Sequence, residues 1–201
     1  MPMLEGQSDD VRKWLEGAGE RYGIVPVMLP AASWNDDLTP WPAGPIFKKG
    51  KAFGGKAGAY LERLENETIP GIEAGMGIKP EERWFVGVSL AGLFGVWSTA
   101  ESPLFQRVAS VSGSFWYPGF VEWLQGRRLS AKSVYISLGD KESQGRNPHL
   151  AGIAEDTAAV VGILKAQGIP ATFQQTEGTH FGPLIPRLEL ALSGLASHYK
   201  E

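Results

Sequence analysis

The stretch Trp84-Phe85-Val86-Gly87-Val88-Ser89-Leu90-Ala91-Gly92 constrains this chain more than any other. An apolar run enters a serine flanked by small residues, and a helical pattern from Leu90 to about Ala100 leaves it. Glycine lies two before the serine, alanine two after and glycine three after. A sharp strand-to-helix turn needs that arrangement, because bulky neighbours would clash across it. Such a turn lifts the serine Oγ to the carboxyl edge of a sheet, in front of the positive end of a helix dipole. A tight turn without chemistry has the same outline. Deciding between the two requires a carboxylate and a histidine downstream in that order.

The rest of the chain supplies a sheet for that turn. Helical spacing from Ser8-Asp9-Asp10 to Gly23 is followed by an apolar run, Ile24 to Leu29, that reads as a strand. Residues 31–56 read as a long loop rich in Pro, Gly and Trp, an unusual length unless it is functional. A helix is predicted over 57–73, with Pro70 as a kink. Strands are predicted at 83–88, 108–111, 133–138 and 171–175, and helices at 148–167 and from Pro186 to about Tyr199. Strand and helix alternate, which argues for a parallel sheet covered on both faces, with active groups in loops at the carboxyl ends of the strands. At 201 residues the chain is sized for a single domain, 1–201.

Composition narrows the chemistry. There is no cysteine, so disulfides, thiolate metal sites and cysteine nucleophiles are excluded. A net charge of −3 gives no reason to expect a nucleic acid or an anionic membrane surface as partner. The segment Met1 to Gly6 has neither a basic region nor an apolar stretch of signal-peptide length, and no segment approaches a membrane span, so a cytoplasmic location is expected. Gly50 to Ala57 nearly spells a phosphate loop, but Ala57 stands where a hydroxyl is required. Lys48, Lys49, Lys51 and Lys56 read as a solvated loop face. Asp36, Asp37 and Glu177 lack metal-ligand spacing and read as turn and cap residues, so neither metal nor cofactor is expected.

Only three histidines can serve as a base. His198 falls in the terminal helix, and His149 at a helix start, where capping explains it. His180 follows the last strand, at the edge that should also carry Ser89. The acid should lie between them. Asp140 leaves the carboxyl end of the 133–138 strand, 51 residues after Ser89 and 40 before His180. Glu142 shares its loop and is the rival, and a Gly-Asp turn alone would also account for Asp140. In this reading His180 takes the proton of Ser89, since a free serine hydroxyl is a poor nucleophile and an ordinary imidazole titrates near pH 6.5. Asp140 fixes the imidazole tautomer. The backbone N–H of Leu90, with a second from Ser33 or Trp34, would meet an oxyanion. Trp34, Trp41 and Trp116 fall in loops at that edge and suggest an aromatic-friendly pocket. Residues 114–131 are too few for a separate lid domain, so an open cleft is expected.

With these pieces placed, the sequence resembles the esterase branch of the α/β-hydrolases, which holds esterase D-like, enterochelin-esterase-like and feruloyl-esterase-like proteins. The matching segments are Trp34 to Trp41, Gly87 to Gly92, Ser112-Gly113-Ser114-Phe115-Trp116-Tyr117, Leu138 to Glu142, and His180. The resemblance implies a three-layer α/β fold with a mostly parallel sheet of about five to six strands and no large lid. It implies triad roles for Ser89, Asp140 and His180, and the aromatic residues Trp41, Trp116 and Tyr117 of the edge loops are the candidate pocket. The implied activity is cleavage of a small-molecule carboxylic ester through an acyl-enzyme. Acyl transfer on the same fold and a non-catalytic binding protein are the alternatives. The first antiparallel strands typical of the fold have no counterpart here, which leaves a sheet edge open to pairing with a second copy as a homodimer.

Overall fold

Apolar residues at strand and helix spacing build a parallel sheet with a helix between each pair of strands. The computed structural model describes residues 5–46, 50–144 and 148–199. Helix α1 spans Glu5–Tyr22 and the short α2 spans Trp34–Asp37. A two-residue antiparallel pair follows, β1 Pro42–Ala43 with β2 Phe53–Gly54. Helix α3, Ala57–Arg63, runs through a π turn at Leu64–Thr68 into α4, Ile69–Met76. The wide turn directly precedes Pro70, whose ring nitrogen has no hydrogen to donate. The Asn66 side chain gives a bond to the Glu62 carbonyl in this stretch, at 2.9 Å.

The main sheet then assembles in sequence order. Strand β3 is Trp84–Val88, α5 Leu90–Glu101, β4 Arg107–Val111, α6 Phe120–Gln125 and β5 Ser133–Gly139. A 3₁₀ turn at Glu142–Gln144, α7 at Pro148–Ala151, α8 at Ile153–Ala166, β6 at Ala171–Thr176 and α9 at Leu184–Ser197 complete the order. All pairings in the order β3-β4-β5-β6 are parallel. Within each strand, side chains alternate between the two faces. Val108, Ile136 and Leu138 join Leu93, Phe94 and Trp97 of α5 and Leu164 of α8 in the larger core. Ala109, Val111 and Tyr135 pack on Ala191 and Leu195 of α9 on the other face. Helix α1 is tied to the outside of α9 through Glu189, which accepts from Trp14, Arg21 and Tyr22.

One expected strand is missing. Residues 24–29 form no strand and join no ladder, and the parallel sheet has four strands rather than five to six. Pro26 removes a donor from the middle of the run and Pro30 closes it, while Val25, Val27 and Met28 face outward. The 31–56 loop carries α2, β1 and β2 instead of being wholly irregular. Lys48 and Lys49 lie outside the described residues, and Lys56 is engaged in an ion pair with Asp36 at 2.9 Å. Among the described residues no helix is long and apolar enough to cross a membrane.

Candidate active site

Ser89 sits between β3 and α5 with φ 61° and ψ −123°, a region that disfavours any side chain. Backbone bonds hold it there. Its N–H donates to the Val111 carbonyl of β4 at 3.0 Å, and its carbonyl accepts from Leu93 and Ser114. The glycine at position 87 is required by space. A methyl group there would stand 2.3 Å from the Ala91 carbonyl oxygen. At Gly92 it would stand 2.6 Å from the Ser110 hydroxyl. The small residues of the sequence pattern are therefore what lets strand and helix close on the serine.

The last strand delivers the histidine. After β6, Gly178 turns with φ 99°, and His180 reaches back so that its Nε2 lies 3.1 Å from Ser89 Oγ. Its Nδ1 lies 2.9 Å from Oε2 of Glu142. With a carboxylate at Nδ1, that nitrogen carries the hydrogen and Nε2 is left to accept from the serine hydroxyl.

The carboxylate on His180 thus belongs to Glu142 and not to Asp140. Asp140 points outward at the loop rim, where its Oδ1 accepts the Gly178 N–H at 2.7 Å. It fastens the loop after β5 to the loop that carries His180. The reason lies in the 3₁₀ turn that starts at Glu142. The turn folds the longer side chain back under the sheet edge, where it is buried. There Oε1 accepts from the Ser112 hydroxyl at 2.5 Å and the Gly139 N–H at 2.7 Å. The Arg187 guanidinium stands 3.4 Å away. Burial pushes the Glu142 carboxyl up, but the hydrogen bonds from His180, Ser112 and Gly139 together outweigh it and hold it below the usual carboxylate range.

Other residues singled out in the sequence fall into two groups. Leu90 opens α5, so its N–H has no acceptor within the helix and lies next to Ser89. The Ser33 N–H, in contrast, is already given to Asp37 Oδ2 at 3.1 Å, which removes it as an oxyanion donor. Trp34 is the first residue of α2. Trp41 and Trp116 are half-buried, and Trp41 Nε1 donates to the Pro118 carbonyl at 2.9 Å. Tyr117 is fully buried and its hydroxyl donates to the Trp41 carbonyl, so it braces the aromatic loops rather than facing a ligand. The stretch 114–131 contains only α6. His198, just past the end of α9, bonds Thr172 near the start of β6, and the side chain of His149 lies outside the described residues.

Three residues at this edge escaped sequence reasoning as individual participants. Ser112 is strained at φ 48° and grips Glu142. Ser114 places its hydroxyl 3.4 Å from that of Ser89. Arg187 reaches in from α9. Position at the carboxyl end of β4 was a usable signal for the two serines, whereas Arg187 is nearly fifty residues from Glu142 in sequence and had none.

Comparison with known proteins adds to this geometry. Residues 9–182 match a family model described as "Putative esterase". The chain is 30% identical over 138 residues to "Uncharacterized protein YbbA" of Bacillus subtilis (strain 168), a match covering 66% of this chain and 55% of that protein. Siderophore hydrolase EstA from Aspergillus nidulans superposes with a TM-score of 0.66 at 15% identity, over 92% of this chain and 77% of its own. The enterobactin esterase FES from Shigella flexneri superposes with a TM-score of 0.58 at 19% identity, over 71% of this chain and 38% of its own. At these identities the two structures show the fold. The chain spans little more than half the length of the Bacillus relative.

Proposed function

The chain belongs to the esterase family, and from that premise and the Ser89–His180–Glu142 geometry we propose that it is a serine carboxylic-ester hydrolase. The observation that carries the reading is the continuous relay of contacts from Glu142 Oε2 through both ring nitrogens of His180 to Ser89 Oγ, at 2.9 and 3.1 Å. In the proposed cycle His180 Nε2 takes the Ser89 proton as Oγ attacks the ester carbonyl. Glu142 holds the ring and stabilises the imidazolium, the part first assigned to Asp140. The tetrahedral oxyanion is met by the Leu90 N–H, with Trp34 as second donor. Collapse expels the alcohol, which takes the proton from His180, and leaves an acyl group on Ser89. Water, deprotonated by the same imidazole, then releases the acid. No step calls for a metal or cofactor. Half-buried Trp41 and Trp116 favour an apolar or aromatic portion of a small ester.

The test is covalent labelling of the folded protein with a fluorophosphonate, mapped by mass spectrometry, beside turnover of a p-nitrophenyl acyl series. An adduct on Ser89 with turnover is expected. A folded protein with neither would overturn the reading in favour of a binding protein on this fold. Adding an alcohol acceptor during turnover separates hydrolysis from acyl transfer.

A further inference from the structure

Glu142 and His180 are both contacted by a charged residue of α9. Arg187 lies in the first turns of α9 and is 4% exposed. One terminal nitrogen lies 3.4 Å from Glu142 Oε1, and the other donates to the His180 carbonyl at 3.2 Å. The guanidinium thus reaches the acid and the base, which come from loops after different strands. Its Nε, buried as well, has no hydrogen-bond partner among the described residues. The hydroxyls of Ser137 and Thr176 are likewise buried without partners, and both lie on the α9 side of the sheet by strand alternation with Tyr135 and Gln174.

A guanidinium taken out of water is costly unless its full set of hydrogen bonds is recovered. Here that recovery is incomplete, and both contacts it does make are to the Glu142–His180 pair. Fold stability alone is a poor reason for such an arginine. We propose that Arg187 is a positioning residue: it sets the acid and the histidine loop in register, and its charge draws off part of the pull of Glu142 on the imidazole. The inference rests on the esterase reading above. The charged and titratable groups around the pair are few. Tyr135 comes from β5, Asp140 and Lys141 from the following loop, and Glu177 from the loop after β6. Asp140 is turned to Gly178, and Glu189 of α9 is occupied by α1. Among the described residues, Arg187 is the cation that bonds the pair directly.

The sign of the effect follows. A positive charge beside the pair opposes binding of a further proton. Arg187→Met removes that charge, so the pair keeps its proton to higher pH. The acid-side midpoint of kcat/KM for a p-nitrophenyl ester is expected to rise by about one pH unit. kcat is expected to fall about tenfold or more through lost alignment, with KM nearly unchanged. Arg187→Lys restores the charge without the fork, so the midpoint returns towards that of the unaltered enzyme while kcat stays reduced. Unaltered kcat and pH profile in a folded Arg187→Met protein would overturn the proposal. If that variant does not fold, Arg187→Lys decides: kcat equal to the parent overturns the proposal, and a several-fold fall at constant KM supports it. Fluorophosphonate labelling of Ser89 in the parent is done first. Its failure sinks the esterase reading, whereas labelling and turnover that ignore Arg187 sink this inference alone.

Discussion

Ser89, His180 and Glu142 form a chain of contacts at 3.1 and 2.9 Å. Ser89→Ala is expected to reduce turnover at least a thousandfold without loss of fold, read as kcat on a p-nitrophenyl ester. Proton abstraction by the imidazole implies an acid-side fall in kcat/KM, and a flat profile down to about pH 5 would count against His180 as base. The contact of His180 with Ser89 was legible in the sequence because each residue has a local signature. One is ringed by small residues, and the other directly follows the last strand. The carboxylate that contacts His180 was legible only as a pair of candidates two residues apart. Which of them turns inward depends on the 3₁₀ turn after Lys141 and on the Ser112, Gly139 and Arg187 partners waiting there, none of which is local in sequence.

At the scale of elements, the strand–turn–helix around Ser89 is a close fit of β3 against α5. Gly87→Ala inserts a methyl group 2.3 Å from the Ala91 carbonyl, so α5 must move or tilt. The expected cost is about 1–3 kcal/mol in a denaturant melt, together with a fall in kcat as the serine shifts. Leu93, fully buried in α5, supports the same helix from the core side. Leu93→Ala is expected to destabilise by about 2–5 kcal/mol on chemical denaturation. Strands 84–88, 107–111 and 133–139 could be read from apolar runs under covering helices, whereas 171–176 is a partly exposed edge strand with Thr172, Gln174, Gln175 and Thr176 in it. The same rule misread 24–29, where Pro26 and Pro30 outweigh the apolar side chains. A π turn at Leu64–Thr68 lies just before Pro70, where a kink was expected.

Across the whole molecule, two acid clusters pin opposite ends of the sheet. Glu142 does so at the carboxyl end. Glu82, just before β3, bonds Arg107 at 2.7 Å and Lys132 at 2.7 Å, while Arg107 also reaches Ser133. Burial pushes the Glu82 carboxyl up, but the bonds from Lys132, Arg107 and Trp84 carry it below the usual carboxylate range. Both carboxylates are therefore lower in the folded chain than in the unfolded one. Their contribution is complete above the ordinary glutamate range and is lost as pH falls through the folded values. Thermal melts should show stability constant near neutrality and falling below about pH 4.5. Glu82→Ala leaves Arg107 buried without its carboxylate and should cost about 3–5 kcal/mol, with the contacts of Ser89 untouched. The alternation of strand and helix made the parallel sheet legible, since parallel neighbours need crossovers. These long-range charge pairs were not, because no spacing rule links residue 82 to 107 and 132.

In the proposed cycle Glu142, and not Asp140, orients His180 against Ser89. The most direct measurement is kcat of Glu142→Gln beside that of Asp140→Asn on one p-nitrophenyl ester, with both proteins shown to be folded. Glu142→Gln is expected to lose about a hundredfold or more, because an amide does not stabilise the imidazolium, while Asp140→Asn stays within about tenfold. Loss in Asp140→Asn with activity retained in Glu142→Gln would contradict the account.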